Sequence, residues 1–151
     1  MAEVALFAAG GPLFPELGAT VPLPETIGQL VRRVGIRAYE NETALRTLLR
    51  LSLDPHTSIR RPGHRRDWIA DALAPVRKRL KPELYNNLAR ALTLTLGIDL
   101  VVVMKDIARA SREEALTALE WTARTLVSAA LASSLDKAVR NGRSAIRGSA
   151  Q

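Results

Sequence analysis

Lys81 to Arg109 reads KPELYNNLARALTLTLGIDLVVVMKDIAR, and how this stretch folds decides the architecture of the 151-residue chain. Pro82 followed by Glu83 suits the first turn of a helix, where a missing N–H costs nothing and a carboxylate meets the positive end of the helix dipole. Apolar side chains then recur on three sides: Leu84, Leu88, Ala91, Ile98 and Val102 near one face, Leu92, Leu96, Val103 and Ile107 near a second, Leu100, Val101 and Met104 toward a third. The expectation is one helix from Pro82 to Arg109, roughly 40 Å long at about 1.5 Å per residue. A helix apolar on several sides is a buried one, contacted by several partners at once. Asp99 lies on the stripe of Leu96 and Val103. A buried carboxylate calls either for an arginine, with Arg37, Arg46, Arg65 and Arg66 as candidates, or for a ligand in an internal cavity.

Outward from this stretch, the rest of the chain also reads as helix. Ile27, Leu30, Val31 and Val34 share a face from about Glu25, and Ala44, Leu45, Leu48, Leu49 and Leu53 form a second set beyond a break near Tyr39 to Asn41. Asp54-Pro55 ends that segment, because the residue before proline is pushed out of the helical region. Trp68, Ile69, Ala72, Leu73, Val76 and Leu80 follow at helical spacing, with Pro75 bending or restarting the helix. On the far side, Ser111 and Glu114 form a capping box opening on Ala115, Leu116, Leu119, Ala123, Leu126, Val127, Ala130 and Leu131. The first nine residues look like the end of a helix, and residues 10–24, with three glycines and four prolines, read as a loop. From Asp136 the apolar period fades into charge and Gly, as in a fraying basic tail. No strand pattern competes, so the chain reads as all-α: a bundle of five to six helices over residues 1–135, with residues 136–151 as the tail.

Composition narrows the functions. An apolar content of 47% supplies the core of one domain, and the absence of cysteine removes disulfides and thiolate chemistry. The central apolar run, Leu100 to Met104, falls far short of the roughly 20 residues of a membrane span. The N-terminus lacks the basic start of a signal peptide, which points to the cytoplasm. The net charge of +7 is concentrated between Arg60 and Lys81, with eight Lys or Arg against Asp67 and Asp71. Without aromatic interleaving this reads first as solvated helix faces, and second as a nucleic-acid surface.

Catalytic constellations do not emerge. His56 and His64 stand eight apart in or beside an Arg-rich loop, poor spacing for a metal site, and no phosphate-binding loop or nucleophile elbow occurs. The chain therefore reads as a non-enzyme with no cofactor and no metal. Thr26 to Ile36 followed by Asn41 to Arg50 has the outline of a helix-turn-helix. Val31 at the tight crossing position, and no early Ser or Thr cap on a recognition helix, favour an ordinary helical hairpin.

Three segments in order, RRDWIADALAPVRKRL from Arg65, LARALTLTLGIDLVVVMKDIA from Leu88 and SREEALTALEWTARTLVSAAL from Ser111, resemble the C-terminal ligand-binding and dimerisation domain of TetR-family transcriptional regulators. MAEVALFAAGG and YENETALRTLLRLSLDP are similar to the parts that follow the DNA-binding portion. The resemblance implies a homodimer built by a four-helix bundle from the last two long helices of each protomer. Its seam would use Gly97, Leu100, Val101 and Met104 with Leu119, Ala123, Leu126, Val127 and Ala130. It further implies a pocket for a small-molecule effector walled by Trp68, Leu73, Tyr85, Leu92, Leu96 and Asp99. DNA would be contacted only through an N-terminal domain that this chain lacks. Two other functions remain beside this one: a free-standing helical interaction module using the same seam, and a weak nucleic-acid binder using the basic stretch.

Overall fold

In the computed structural model, residues 21–59 and 64–148 are described, with side chains as far as Ser134. The expected helix over residues 1–9 and most of the loop after it lie outside these residues. Six helices follow: α1 Leu23–Glu40, α2 Glu42–Leu53, α3 His64–Leu73, α4 Pro82–Thr93, α5 Ile98–Val101 and α6 Arg112–Gly148. A 3₁₀ turn at Ala74–Val76 follows α3, and a π-helical turn at Val102–Ile107 continues α5. There is no strand among the described residues, and the fold is all-α. No single described helix is long and apolar enough to cross a membrane.

The chain enters α1 through Pro22 and Pro24, with Glu25 in the first turn and the Thr26 hydroxyl donating to the Pro22 carbonyl. Proline in the first turn sacrifices no hydrogen bond, so the helix starts within the stretch that its prolines mark as loop. It then runs unbroken through Gly35 to Glu40, which removes the helix-turn-helix outline. The turn comes instead at Asn41, whose backbone N–H and side-chain amide both donate to the Arg37 carbonyl, at 3.0 and 2.9 Å. Pro75 ends α3, as its missing N–H and ring demand, and the 3₁₀ turn seats Val76 and Leu80 in the core.

The capping box forms as its spacing requires. Ser111 N–H donates to Glu114 Oε2 at 2.8 Å, and Glu114 N–H donates to Ser111 Oγ at 3.3 Å. The helix it opens has 37 residues, roughly 55 Å at about 1.5 Å per residue, and continues past Asp136 to Gly148. Helix α1 lies antiparallel along its first half. Gly28 faces Arg124 and Glu120, Gly35 faces Leu116, and Arg32 reaches Glu113 and Glu120. A Cβ on Gly35 would stand 2.6 Å from Leu116 Cδ2, so this glycine serves close approach of two helices rather than a turn.

The central stretch is not one helix. Helix α4 ends at Thr93, and the α4 and α5 arms meet at a 60° bend. Three features stop it. The last N–H groups bond three residues back, Leu94 to the Ala91 carbonyl and Thr95 to the Leu92 carbonyl. The Thr93 and Thr95 hydroxyls donate to the Ala89 and Leu92 carbonyls, competing with the helical ladder. Gly97 then takes φ +86° and ψ −164°, a conformation essentially reserved to glycine. Breaking here lets Thr95, Leu96, Gly97 and Ile98 all turn inward while Leu94 is left 79% exposed. The expected faces do not persist across the bend: of the second, Leu92 and Leu96 are core whereas Val103 and Ile107 are exposed, and of the third, Leu100 and Val101 are core whereas Met104 is half-buried.

Candidate functional site

Asp99 is not a buried carboxylate. The bend leaves its side chain 44% exposed, and it accepts a 2.6 Å hydrogen bond from Arg65 Nη1, whose own side chain is 13% exposed. Arg65 thus answers the question posed by the sequence, with the cation rather than the anion as the more buried partner. The guanidinium also lies over Gly97, where a Cβ would collide with it. The positive-φ glycine, the arginine and the carboxylate form one elbow brace between α3 and α5.

The other positions assigned to a pocket scatter. Leu73, Leu92 and Leu96 are fully buried within the core cluster, and Trp68 packs against that cluster. Tyr85 has a different neighbourhood. It borders an open cleft of about 670 Å³ between α3, the turn that follows it and α4. Arg66, Asp67 and Ala70 line it from α3; Asn86, Ala89, Arg90 and Thr93 from α4; Arg77 and Leu94 complete the wall. The Arg77 guanidinium sits 5.7 Å from the Tyr85 ring centroid, within cation–π range. The Tyr85 hydroxyl is buried and has no hydrogen-bond partner among the described residues.

Charge in this cleft is uneven: three guanidiniums face the single carboxylate of Asp67. Arg66 Nε lies 3.9 Å from Asp67 Oδ1, a loose pair, and Arg90 Nη1 donates at 3.4 Å to Asn87 Oδ1. Among the described residues neither Arg77 nor Arg90 has a carboxylate within ion-pair distance. Of the lining, only Tyr85 was reached from sequence as a pocket residue. The signal for the rest was present: residues 86, 89, 90 and 93 fall on one face of α4 and residues 66 and 70 on one face of α3. Alanines between arginines look like plain solvated helix until the two faces are known to oppose one another. No family model matches the chain, and no curated protein or solved structure matches it either.

The residues assigned to a dimer seam are placed within the fold of the single chain. Leu100, Val101, Leu119, Ala123, Val127 and Ala130 belong to its own core, Leu126 packs against that core, Gly97 is buried and Met104 half-buried. Helix α1 occupies the face of α6 that the seam was expected to use. The opposite face of α6 presents Trp121, 67% exposed.

On the other side of the molecule, Arg46 joins α2 to the π-helical turn. It donates twice to Asp106, both at 2.8 Å, and through Nε to Glu42 Oε1 at 2.8 Å, while Lys105 Nζ reaches both Glu42 oxygens at 3.0 and 2.8 Å. The Lys105 ammonium, with Arg46 beside it, holds the Glu42 carboxyl below its ordinary range, and Arg46 does the same for Asp106. This network ties the turn to α2, and nothing in it addresses a ligand.

Proposed function

We propose that this chain is the effector-sensing region of a TetR-like transcription regulator, with the α3–α4 cleft as its ligand site. The observation that supports this reading is the cleft itself: a concave site of small-molecule size, with Tyr85 on its wall and polar groups converging from two helices. Its position suits signalling. Helix α4 connects to α5 through the non-helical elbow at residues 94–97, and α5 packs against both α1 and α2. A ligand that binds one setting of α3 against α4 better than another shifts the population of elbow positions. The shift passes through α5 to α1, and from there toward a DNA-binding domain on the N-terminal side of α1. Dimerisation in this scheme uses the outer face of α6 around Trp121, because the inner face is taken by α1.

Sedimentation of the purified chain at tens of micromolar tests the regulator reading. A homodimer that Trp121→Asp dissociates is the expected result; a monomer at that concentration overturns it. Nucleic-acid binding is the second reading, favoured by the exposed run Arg77, Lys78, Arg79 and Lys81. It requires DNA association that falls steeply with salt.

A further inference from the structure

Resting on the reading of the α3–α4 cleft as an effector site, we propose that its ligand is a small organic acid. A carboxylate, sulfonate or phosphate head is held by Arg66, Arg77 and Arg90, and an apolar body lies on Ala70, Ala89 and Leu94.

Charge is the first ground. Three guanidiniums border one hollow against one carboxylate, leaving two net positive charges, and Arg77 and Arg90 are not neutralised by any described carboxylate. Like charges converging on a concave wall raise the local potential and draw an anion to it. Guanidiniums are also the cations best matched to planar oxyanions, which they bind through paired N–H donors. Arg77 is already oriented by its seat over the Tyr85 ring.

The second ground is an unmet polar group. The Tyr85 hydroxyl is buried with no partner among the described residues, which is costly for a donor of this strength. An acceptor brought in with the ligand on the cleft wall that Tyr85 forms would satisfy it. Third, part of the lining is apolar and small: Ala70 and Ala89 leave open a hollow that larger side chains would fill. Leu94, driven out by the elbow, loses most of its water contact when a hydrophobic body covers it. A strand of nucleic acid fits these features poorly, since it needs a track of cations rather than a hollow with a carboxylate, Asp67, on its wall. For an organic acid bearing a hydroxyl or amine, Asp67 is a ready acceptor.

Fluorescence titration with 1-anilinonaphthalene-8-sulfonate tests this, with the neutral N-phenyl-1-naphthylamine as the control of similar shape. The sulfonate is expected to bind saturably at one site and to weaken by about tenfold or more in the exposed double variant Arg77→Gln/Arg90→Gln, through loss of two charge-assisted contacts. Tyr85→Phe is expected to weaken it about threefold, the scale of one neutral hydrogen bond. The neutral probe should bind more weakly and ignore all three substitutions. Equal sulfonate affinity in parent and double variant, with unchanged far-UV circular dichroism, overturns the proposal, as does neutral-probe binding as tight as the sulfonate. Displacement of the sulfonate by a short DNA duplex, lost in the double variant, also overturns it by reassigning the arginines to phosphate-backbone contact. The two proposals fail separately: arginine-dependent sulfonate binding in a monomer sustains the ligand class and removes the regulator, whereas a dimer with no preference for the anion does the reverse.

Discussion

Two helix pairs in this molecule are built from similar materials and end differently. Along α1 and α6, glycines and alanines let the backbones approach, and Ile27, Leu30, Val31 and Val34 are buried with Ala123 and Val127 in the core. Between α3 and α4 the helices pack through Ile69, Leu73, Leu88 and Leu92 on their inner side, while on the outer side the small residues Ala70 and Ala89 are flanked by arginines and line an open cleft. Small residues permit close approach; whether the surface beside them closes over depends on the neighbours. Apolar flanks gain by losing water, while guanidiniums lose hydration and repel each other.

The widest gap between the regions is expected from truncating one leucine in each. Leu30→Ala in the closed seam should destabilise by about 3 kcal/mol, leaving a cavity in a packed core. Leu94→Ala at the cleft rim should stay within about 0.5 kcal/mol. Urea denaturation of both variants checks this, and a large loss for Leu94→Ala would mean that the rim is covered in solution. Gly97→Ala comes next. A non-glycine side chain in that backbone conformation, pressed into Arg65, should lower stability by about 2 kcal/mol, and the Arg65–Asp99 hydrogen bond should go with it. If the variant is as stable as its parent, the elbow is not held by glycine geometry.

A gain is predicted at the end of the π-helical turn. Arg109 sits at φ +56°, and its neighbour Ala110 donates to the Met104 carbonyl at 2.9 Å to close the turn. Arg109→Gly should raise stability by up to about 1 kcal/mol by removing left-handed strain. An unchanged melting temperature would show that strain to be absorbed elsewhere.

The smallest effect concerns acid. Glu42, Asp106 and Glu114 all have folded-state pKa values below their ordinary 4.5, 3.8 and 4.5, held there first by Lys105, Arg46 and Ser111 respectively. A depressed carboxyl pKa contributes stability that is fully present above the unfolded value and disappears as pH falls through the folded one. The urea midpoint should therefore hold steady above about pH 5 and fall as pH drops below about 4. Glu42→Gln should flatten that limb by a few tenths of a kcal/mol, because its partners Arg46 and Lys105 remain partly in water and solvent screens the pair. Arg77→Gln, outside any described ion pair, should leave the limb unchanged.

Periodicity and punctuation carried much of the fold. The α1 face, the Asp54-Pro55 stop, Pro75 and the Ser111–Glu114 cap are local signals, each set by a few adjacent residues, and each reads the same in the folded chain. The one long helix expected through the centre failed for a reason also written locally, in Thr93, Thr95 and Gly97. Helical spacing of leucines outweighed it, because periodicity is preserved across a bend that turns both arms toward the same core.

What the sequence by itself determined, then, is the all-α class and most helix ends, because hydrogen-bond caps and apolar spacing act within a turn or two of chain. Only the tertiary structure decided which faces meet. It placed the apolar stripe of α6 against α1 within one chain, gave Asp99 to Arg65, and set the arginines of α3, its following turn and α4 around one cleft. Those outcomes depend on contacts between residues tens of positions apart, where several pairings of amphipathic faces bury similar area and only the packed arrangement chooses among them.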